Sequence, residues 1–263
     1  MSMIRAIWAY RGFMRGSVQR EFQIKYRNSL LGAAWNVINP LAMIVVYTVV
    51  FAQVMRTKLP EVDSKFAYSI YLCAGVFTWG LFAELVSRSL TMFLDNANLL
   101  KKINFPRIIL PIIVVANALL NFAIVFGLFL AFLVASGNFP GWVVLAVLPV
   151  LALQMAFAMG LGIVLGVLNV FFRDVGQFFG IFLQFWFWLT PIVYPVSILP
   201  EAIKPFLAIN PMASVMTAYQ SILVNHQWPY WFSMWPTAML TVGLCLLGLH
   251  LFKKNVGEMV DEL

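Results

Sequence analysis

Few residues in this sequence could carry out chemistry. His226 and His250 stand alone, and the sequence contains no HExxH motif, no pair of catalytic carboxylates and no nucleophile next to a base. Cys73 and Cys245 show neither disulfide nor metal-ligand spacing, so each is interpreted as a small hydrophobic residue. A GxxxxGKS/T phosphate-binding loop is also absent. We therefore expect no enzyme activity and no metal, ATP or other cofactor bound by this chain.

One pair of charged residues falls within an apolar stretch. Glu84 and Arg88 are four residues apart, about one helical turn, so the two side chains can form an ion pair. Ionisable residues inside a membrane often mark proton or ion pathways. Because both residues lie near one end of their stretch, a structural ion pair is the simpler interpretation, and an ion-coupled carrier is the alternative.

Aromatic residues are concentrated in residues 173–195, RDVGQFFGIFLQFWFWLTPIVYP, which contain seven rings between Phe178 and Trp188. At 100° per residue, five of these rings fall within an arc of about 120°. The five are Phe178, Phe179, Phe182, Phe185 and Trp186. Helices that face lipid place aromatic residues at the two interfaces rather than along the whole length. The face therefore predicts either a tight helix–helix contact or a path for a ligand, with Phe187 and Trp188 packed elsewhere.

The elements that carry these residues are predicted to cross a membrane. The chain has 263 residues, of which 62% are hydrophobic and 10% are charged, whereas about a quarter are charged in soluble domains. Six apolar stretches are each long enough to cross a bilayer. They lie at residues 31–54, 67–87, 108–135, 141–170, 175–196 and 230–252. The sequence thus predicts an all-α integral membrane protein with six transmembrane helices and a single domain over residues 1–263.

Basic residues predict the orientation of these helices. With both termini in the cytoplasm, 13 of the 17 lysine and arginine residues flank the spans on the cytoplasmic side. An excess of positive charge on that side is typical of membrane proteins. The net charge of +7 is therefore interpreted as a signal of topology, and no nucleic-acid partner is expected. The first 30 residues lack a continuous apolar core, so no cleavable signal peptide is predicted.

Residues 1–30 and 88–107 are predicted to form two cytoplasmic elements. Apolar residues on one side of the first segment predict an amphipathic helix at the membrane interface, from which Arg11 and Arg15 reach lipid phosphates. A polar tail that only sets the topology is the alternative. In the second segment, Asp95 is expected to cap a short helix that ends at Leu100. Its mixture of apolar and amide side chains suits docking on a partner protein or packing on the membrane surface.

Residues 197–227 are predicted to form a re-entrant hairpin on the extracytoplasmic side. Pro200, Pro205 and Pro211 interrupt an apolar segment, and Asn210 followed by Pro211 is typical of a helix N-terminus. The resulting helix of about 14 residues is too short to cross a membrane. Backbone that breaks at membrane depth is tolerated where protein buries it or where it lines an aqueous cavity. We therefore expect this hairpin beside a pathway or an interface.

Two pairs of residues predict contacts between spans. Asn117 and Asn121 are one turn apart and suit hydrogen bonds between helices. Gly162 and Gly166 have the spacing that lets two membrane helices approach closely. Both pairs are interpreted as packing devices.

Four longer stretches occur in the same order as in one known family. They are REFQIKYRNSLLGAAWNVINPLAMIVVYTVVF at 20–51, NANLLKKINFPRIILP at 96–111, NVFFRDVGQFFGIFLQFWFWLTPIVYP at 169–195 and NPMASVMTAYQSILV at 210–224. They resemble the membrane subunits of type 2 ABC exporters for polysaccharides, in particular the O-antigen group, which is related to teichoic-acid exporters. The resemblance extends over nearly the whole chain.

The resemblance implies a permease half-transporter in the bacterial inner membrane. Two copies would enclose a channel and would join two copies of a cytoplasmic ABC ATPase subunit, which would hold ATP and Mg. The substrate would be a glycan linked to undecaprenyl diphosphate. Permeases for teichoic acid, lipids or drugs on the same fold are alternatives.

The resemblance also implies roles for individual residues. The resemblance implies that spans 1 and 5 line the channel. The aromatic residues expected to form this lining are Trp35, Tyr47, Phe51, Phe182, Trp186 and Tyr194. Coupling to the ATPase is implied for Asn96, Asn98, Leu99, Lys101, Lys102, Asn104 and Phe105. Basic clusters attract anionic headgroups, so the cations near the inner surface could hold a lipid diphosphate. The alternative is that these cations only set the topology. These cations are Arg11, Arg15, Lys25 and Arg27.

Overall fold

The computed structural model describes residues 8–26, 31–54, 64–101 and 106–262, and within these ranges the chain forms helices and turns without a strand. The helices are α1 Arg11–Tyr26, α2 Trp35–Tyr47, α3 Ala67–Asp95, α4 Ala97–Leu100, α5 Ile109–Ala135, α6 Val147–Phe171, α7 Asp174–Leu189, α8 Lys204–Ile209, α9 Pro211–Leu223 and α10 Trp235–Glu262. A π-helix, Thr48–Val54, continues α2. A 3-10 helix, Gly141–Ala146, precedes α6. The predicted all-helical class is confirmed for the described residues.

Four helical segments of the described chain are long and apolar enough to cross a membrane. They are Ala67–Asp95, Ile109–Ala135, Gly141–Phe171 and Trp231–Met259, which match the second, third, fourth and sixth predicted spans. The predicted first span corresponds to a shorter apolar helix, Trp35–Phe51. The predicted fifth span contains α7, which has 16 residues. At 1.5 Å per residue this helix is about 24 Å long, less than the roughly 30 Å of a bilayer core.

Helix α3 forms the centre of the bundle. It packs against α5, α6 and α9. In its most apolar stretch of 18 residues, 78% of the residues are buried, compared with 22–39% in the other three long helices. Helix α10 packs along α6, and α2 packs on α5. Helix α7 makes few contacts, and its main neighbours among the described helices are α3 and α6. Much of the surface of α2 and α7 is therefore not covered by the parts of the chain that the structure describes.

Apolar clusters define the two ends of the bundle. At the end where α4 lies, here called the α4 end, the buried residues include Met92, Leu100, Leu110, Val167 and Met259. The opposite end, here called the hairpin end, includes Ala67, Leu133, Val147, Val224 and Met234. Helix α9 begins beside a middle cluster and ends at the hairpin end, so it covers only half of the bundle's length.

The glycines of α6 allow α3 and α6 to touch through their backbones. A Cβ atom placed on Gly166 would lie 2.6 Å from the carbonyl oxygen of Ser89. One placed on Gly162 would lie 2.4 Å from the Cβ atom of Ser89. Both distances are too short for carbon atoms in a folded protein, so only glycine fits at these two positions. The close helix approach predicted from the glycine spacing is confirmed.

Two helix boundaries differ from the predictions. Asp95 does not cap α4, because α3 continues through Asp95 and the Nδ2 atom of Asn96 donates to the carbonyl of Met92 at 2.8 Å. Helix α10 continues to Glu262, well beyond residue 252. Its extension carries the buried Met259 at the α4 end. The sixth span was predicted to end at residue 252 because the hydropathy of the sequence falls there. The helix continues because a short apolar stripe on its last turns packs against the bundle.

Replacing Gly166 with alanine is expected to destabilise the bundle by about 1–3 kcal/mol, because the added methyl group collides with rigid backbone of α3. Gly127→Ala is the matched control, since a Cβ atom on Gly127 has no neighbour within 4 Å. Thermal unfolding in detergent should show a lower midpoint for Gly166→Ala only. Equal midpoints for the two variants would contradict the close packing of α3 on α6.

Candidate functional site

A polar cluster near the α4 end joins three helices. The Nε atom of Arg88 in α3 lies 2.9 Å from the Oε1 atom of Glu84, and its Nη1 atom donates to Glu21 of α1. The Nδ2 atom of Asn117 in α5 donates to the other carboxylate oxygen of Glu21. The Nδ2 atom of Asn121 donates to Glu84 at 2.9 Å. We call these five residues the α1 clasp, because they attach α1 to α3 and α5.

Sequence reasoning paired Glu84 with Arg88 but did not include Glu21. Glu21 and Arg88 are 67 residues apart, and no local spacing connects them. One signal was present, because Glu21 is the only acidic residue among the first 30. A lone carboxylate in a basic segment is expected to have a specific cationic partner. Within the described part of the chain, no group of three or more His, Cys, Asp or Glu side chains could hold a metal ion.

The predicted coupling residues lie on or beside α4. Asn98 and Lys101 are exposed, Asn96 and Leu99 are half-buried, and the neighbouring Leu100 is buried in the apolar cluster at the α4 end. The short helix is thus attached through Leu100 and presents polar side chains outward. Lys102, Asn104 and Phe105, also predicted here, lie outside the described residues.

Helix α10 supports this end of the bundle from the side. Met259 is buried in the same cluster as Leu100 of α4. The Phe252 ring stacks on the Phe93 ring of α3 with centroids 5.4 Å apart and planes within 14°. Aromatic pairs in this geometry add stability beyond the area they bury. The last turns of α10 therefore help to fix the end of α3 from which α4 projects.

A cavity of about 750 Å³ lies between α1 and the α4 end of α3 and α5. Phe13 and Ser17 line its α1 side, and Thr91, Leu99 and Leu110 line the opposite side. Arg20, Glu21, Arg88, Asp95 and Asn117 add charged and polar groups to its wall. The cavity is therefore amphipathic, and α1 covers it.

The predicted basic residues of the N-terminal segment are directed away from the bundle where they are described. Arg11 and Arg15 are exposed on α1. The Arg11 guanidinium lies over the Trp8 ring, 4.5 Å from its centroid, and donates to the Trp8 carbonyl at 3.3 Å. The side chain of Lys25 and all of Arg27 lie outside the described residues. Arg11 and Arg15 thus keep their charged groups accessible to solvent or to lipid headgroups.

The aromatic face of α7 is divided between two surroundings. Phe178 and Phe185 are 70% and 65% exposed, and Phe182 is 37% exposed. Phe179 is half-buried, and Trp186 is only 9% exposed. Periodicity gave the relative angles of these rings but not the side of the helix that meets the bundle. Phe178 and Phe185 therefore face outward, Phe179 and Trp186 pack inward, and Phe182 lies at the border between the two sides.

Trp186 is held from two directions. Its ring makes edge-to-face contacts with Phe82, at 5.3 Å between centroids, and with Trp79, at 6.0 Å. Its Nε1 atom donates to the Oδ1 atom of Asn210 at 2.8 Å. Trp186 also borders a cavity of about 400 Å³ together with Phe182 and Tyr194. The structure thus brings together three of the residues predicted to line a channel.

Phe187 and Trp188 differ from each other in their surroundings. Phe187 packs on Trp79 with ring centroids 5.8 Å apart, whereas Trp188 is exposed on the outward side of α7. Phe187 is not among the residues around the cavity that Phe182, Trp186 and Tyr194 share. The prediction that Trp188 packs elsewhere is therefore wrong, because this residue lies on the side of α7 that faces away from α3.

The chain leaves helical structure after Leu189, and side chains from α3 and α9 bind the released carbonyl groups. Tyr71 donates its hydroxyl to the carbonyls of Pro191 at 3.0 Å and Tyr194 at 2.7 Å. Gln220 donates to Pro191 at 2.7 Å, and Tyr68 donates to Val193 at 2.7 Å. Backbone carbonyls buried in an apolar medium need such partners. We call residues 190–195, of which 190–192 are buried and 193–195 half-buried, the buried break.

Asn210 connects the buried break to α9. Its Oδ1 atom accepts from the backbone N–H of Met212, which is the N-cap predicted from the sequence. Its Nδ2 atom donates to the Thr190 hydroxyl at 3.0 Å and to the Leu189 carbonyl at 3.2 Å. The end of α7 and the start of α9 are therefore fixed to each other by one amide group.

The remaining predicted channel residues belong to α2 and its continuation. Ring centroids are 6.4 Å apart between Tyr47 and Phe51, 5.1 Å between Phe51 and Tyr68, and 6.0 Å between Tyr68 and Tyr71. Through this row of rings, α2 is linked to the buried break. Trp35 is exposed at the first turn of α2 and takes no part in the row.

Comparison with known proteins decides the family. Residues 14–224 match the family described as ABC-2 type transporter. The chain belongs to this family. It is 32% identical over 263 residues to an O-antigen export system permease protein RfbA of Myxococcus xanthus, a match that covers 99% of both chains. A protein of the same name from Klebsiella pneumoniae is 30% identical over 238 residues, or 89% of this chain and 88% of that one.

A more distant relative extends the comparison within polysaccharide transport. The polysialic acid transport protein KpsM of Escherichia coli is 21% identical over 248 residues, which cover 92% of this chain and 93% of that one. The family predicted from the four sequence stretches is thus confirmed. The chain is a multi-pass membrane protein of the ABC-2 group, similar to permease subunits.

Replacing Tyr71 with phenylalanine is expected to destabilise the protein by about 0.5–1.5 kcal/mol, because the half-buried carbonyl of Tyr194 loses its side-chain donor and the buried carbonyl of Pro191 keeps only Gln220. Tyr230→Phe is the matched control, since Tyr230 is 73% exposed. The measurement is the thermal unfolding midpoint in detergent for both variants and the parent. A midpoint of Tyr71→Phe equal to that of the control would show that the buried break does not depend on this hydroxyl.

Proposed function

We propose that this chain is the permease half of an ATP-driven exporter that moves an undecaprenyl-diphosphate-linked polysaccharide of O-antigen type across the bacterial inner membrane. The observation that carries the proposal is the 32% identity to an O-antigen export permease over 99% of both chains. The polysaccharide named for the more distant relative supports the same class of substrate. The chain itself acts as a transporter subunit and has no catalytic residues.

The proposed topology has six spans with both termini in the cytoplasm. Helix α2 with its continuation and α7 with the buried break supplement the four long helices, and α8 and α9 form the re-entrant hairpin. Exposed basic residues at the α4 end, among them Lys101, Arg173, Lys253 and Lys254, support a cytoplasmic position for that end. Exposed aromatic residues at the other end, including Trp142, Trp228, Tyr230 and Phe232, are typical of a membrane interface.

The proposed channel forms between two copies of the chain. Helices α2 and α7 both carry large apolar side chains that remain exposed among the described residues. A second copy would cover part of these faces and leave the rest to line the path. The lining residues proposed are Trp35, Tyr47, Phe51, Phe182, Trp186 and Tyr194. Aromatic surfaces can hold successive sugar rings weakly, and transport requires binding weak enough for release.

The proposed partner at the α4 end is a pair of cytoplasmic ABC ATPase subunits, which hold the ATP and Mg. Asn96, Asn98, Leu99 and Lys101 would contact them, together with Lys102, Asn104 and Phe105. Support comes from the outward position of Asn98 and Lys101 on a helix that Leu100 anchors. On the same side of the membrane, Arg11, Arg15, Lys25 and Arg27 would attract the lipid diphosphate.

Reconstitution tests the proposed function directly. The chain, co-purified with its ATPase and placed in lipid vesicles, should hydrolyse ATP faster when lipid-linked glycan is added, and deletion of its gene should remove the glycan from the cell surface. Stimulation by teichoic acid, lipids or drugs instead would favour another permease of this family. Transport without any ATPase, lost on Glu84→Gln, would favour an ion-coupled carrier.

Replacing Phe182 with leucine is expected to reduce glycan export by about fivefold or more, because the variant keeps the apolar volume but loses the ring that is proposed to contact sugars. Phe232→Leu is the matched control, since Phe232 is also exposed but lies before α10 at the hairpin end. Export is measured as surface glycan per copy of folded permease. Equal export by both variants would argue against a sugar path along α7.

Replacing Asn98 with alanine is expected to weaken co-purification of the ATPase by about fivefold or more while folding and insertion stay intact, because Asn98 is exposed on α4. Asn225→Ala is the control, an exposed asparagine at the hairpin end. The amount of ATPase retained per permease after affinity purification gives the result. If Asn98→Ala retains as much ATPase as the control, α4 is not the docking element.

A further inference from the structure

The α1 clasp has a geometry that suits the transfer of motion. Glu21 uses both carboxylate oxygens, one for the Arg88 guanidinium in α3 and one for the Asn117 amide in α5. Arg88 in turn contacts Glu84 through a second nitrogen atom. Hydrogen bonds between charged groups are stronger and more directional than those between neutral groups. Glu21 therefore holds α1 in one position relative to two helices.

Among the described residues, α1 packs mainly on one side. Its main helical neighbour is α5, and Arg11, Arg15, Gln19 and Gln23 on its other side are exposed. Beneath α1 lies the amphipathic cavity of about 750 Å³, so part of the helix spans a space instead of packing on a surface. A helix that spans a space in this way can shift if its polar attachment shifts.

Arg88 is also close to the element proposed to meet the ATPase. It lies seven residues before Asp95, the last residue of α3, and α4 follows after Asn96 alone. Asn96 stiffens this junction by donating to the Met92 carbonyl at 2.8 Å. Leu100 and Met259 then pack α4 and the end of α3 into one apolar cluster. A displacement of α4 must therefore displace the part of α3 that carries Arg88.

We propose that the contact between Glu21 and Arg88 makes α1 move together with the α4 end of α3, so that motion of the ATPase subunits reaches α1. Glu21 and Arg88 are positioning residues in this account, and neither touches the glycan. The inference rests on the proposed function, because it concerns motion delivered by an ATPase to α4.

The first experiment measures glycan exported per ATP hydrolysed by the complete complex in lipid vesicles. Glu21→Gln and Arg88→Gln should each reduce this ratio by about tenfold. The double variant should be no worse than the more affected single variant, because both changes remove the same contact. Glu258→Gln, an exposed carboxylate on α10, is the control and should match the parent. Thermal unfolding checks that each complex remains assembled.

The second experiment follows α1 itself. Ser17 and Thr91 line opposite sides of the cavity, on α1 and α3. In a Cys73→Ala, Cys245→Ala background, a short bifunctional thiol crosslinker should join Ser17→Cys to Thr91→Cys with equal yield whether or not ATP is present, because the two helices move together. Adding Glu21→Gln should make the yield depend on ATP. A purely structural role for Glu21 would lower the yield equally in both states.

The outcomes separate this inference from the proposed function. If the parent complex exports glycan and Glu21→Gln keeps the parental ratio of export to hydrolysis, the inference is wrong and the proposed function stands. A multiplicative effect in the double variant, or a crosslinking yield in the parent that changes with ATP, also overturns the inference. If the parent neither retains an ATPase nor exports glycan, the proposed function itself fails.

Discussion

A backbone that leaves helical structure inside an apolar bundle must find hydrogen-bond partners within the protein, and the fold depends on how this chain meets that requirement. In the buried break, the carbonyls of Pro191, Val193 and Tyr194 all accept hydrogen bonds from side chains. Leaving one such group without a partner costs about 1–3 kcal/mol. Tyr68, Tyr71 and Gln220 supply the donors, so α3 and α9 are arranged around the break as much as around apolar packing.

This arrangement also determines which rings of α7 are available to a ligand. Asn210 binds the end of α7 and the Trp186 indole together, which directs Trp186 toward Phe82. Phe178 and Phe185 then face outward, and Phe182 lies at the border between the two sides. The aromatic side that the proposal assigns to the glycan thus follows from the way the break is anchored.

Features with local spacing were predictable from the sequence. The N-cap at Asn210, the proximity of Glu84 to Arg88 and the close approach at Gly166 each depend on residues a few positions apart or on one small side chain. Glu21, Tyr71 and Met259 were missed because their partners are far away in the sequence, and periodicity alone does not indicate which partner a helix face will meet. The same reason explains the orientation of α7, where the angles between rings were correct but the inward side was unknown.

Thiol labelling in the assembled exporter shows whether glycan passes along the outward side of α7, as proposed. In the assembled exporter without native cysteines, Phe182→Cys should react with a polar, membrane-impermeant thiol reagent, and lipid-linked glycan should protect it. Phe187→Cys, whose position packs on Trp79, should react little in either state. Two results would contradict this path. Phe187→Cys could be labelled and protected by glycan, or the labelling rate of Phe182→Cys could be the same with and without glycan.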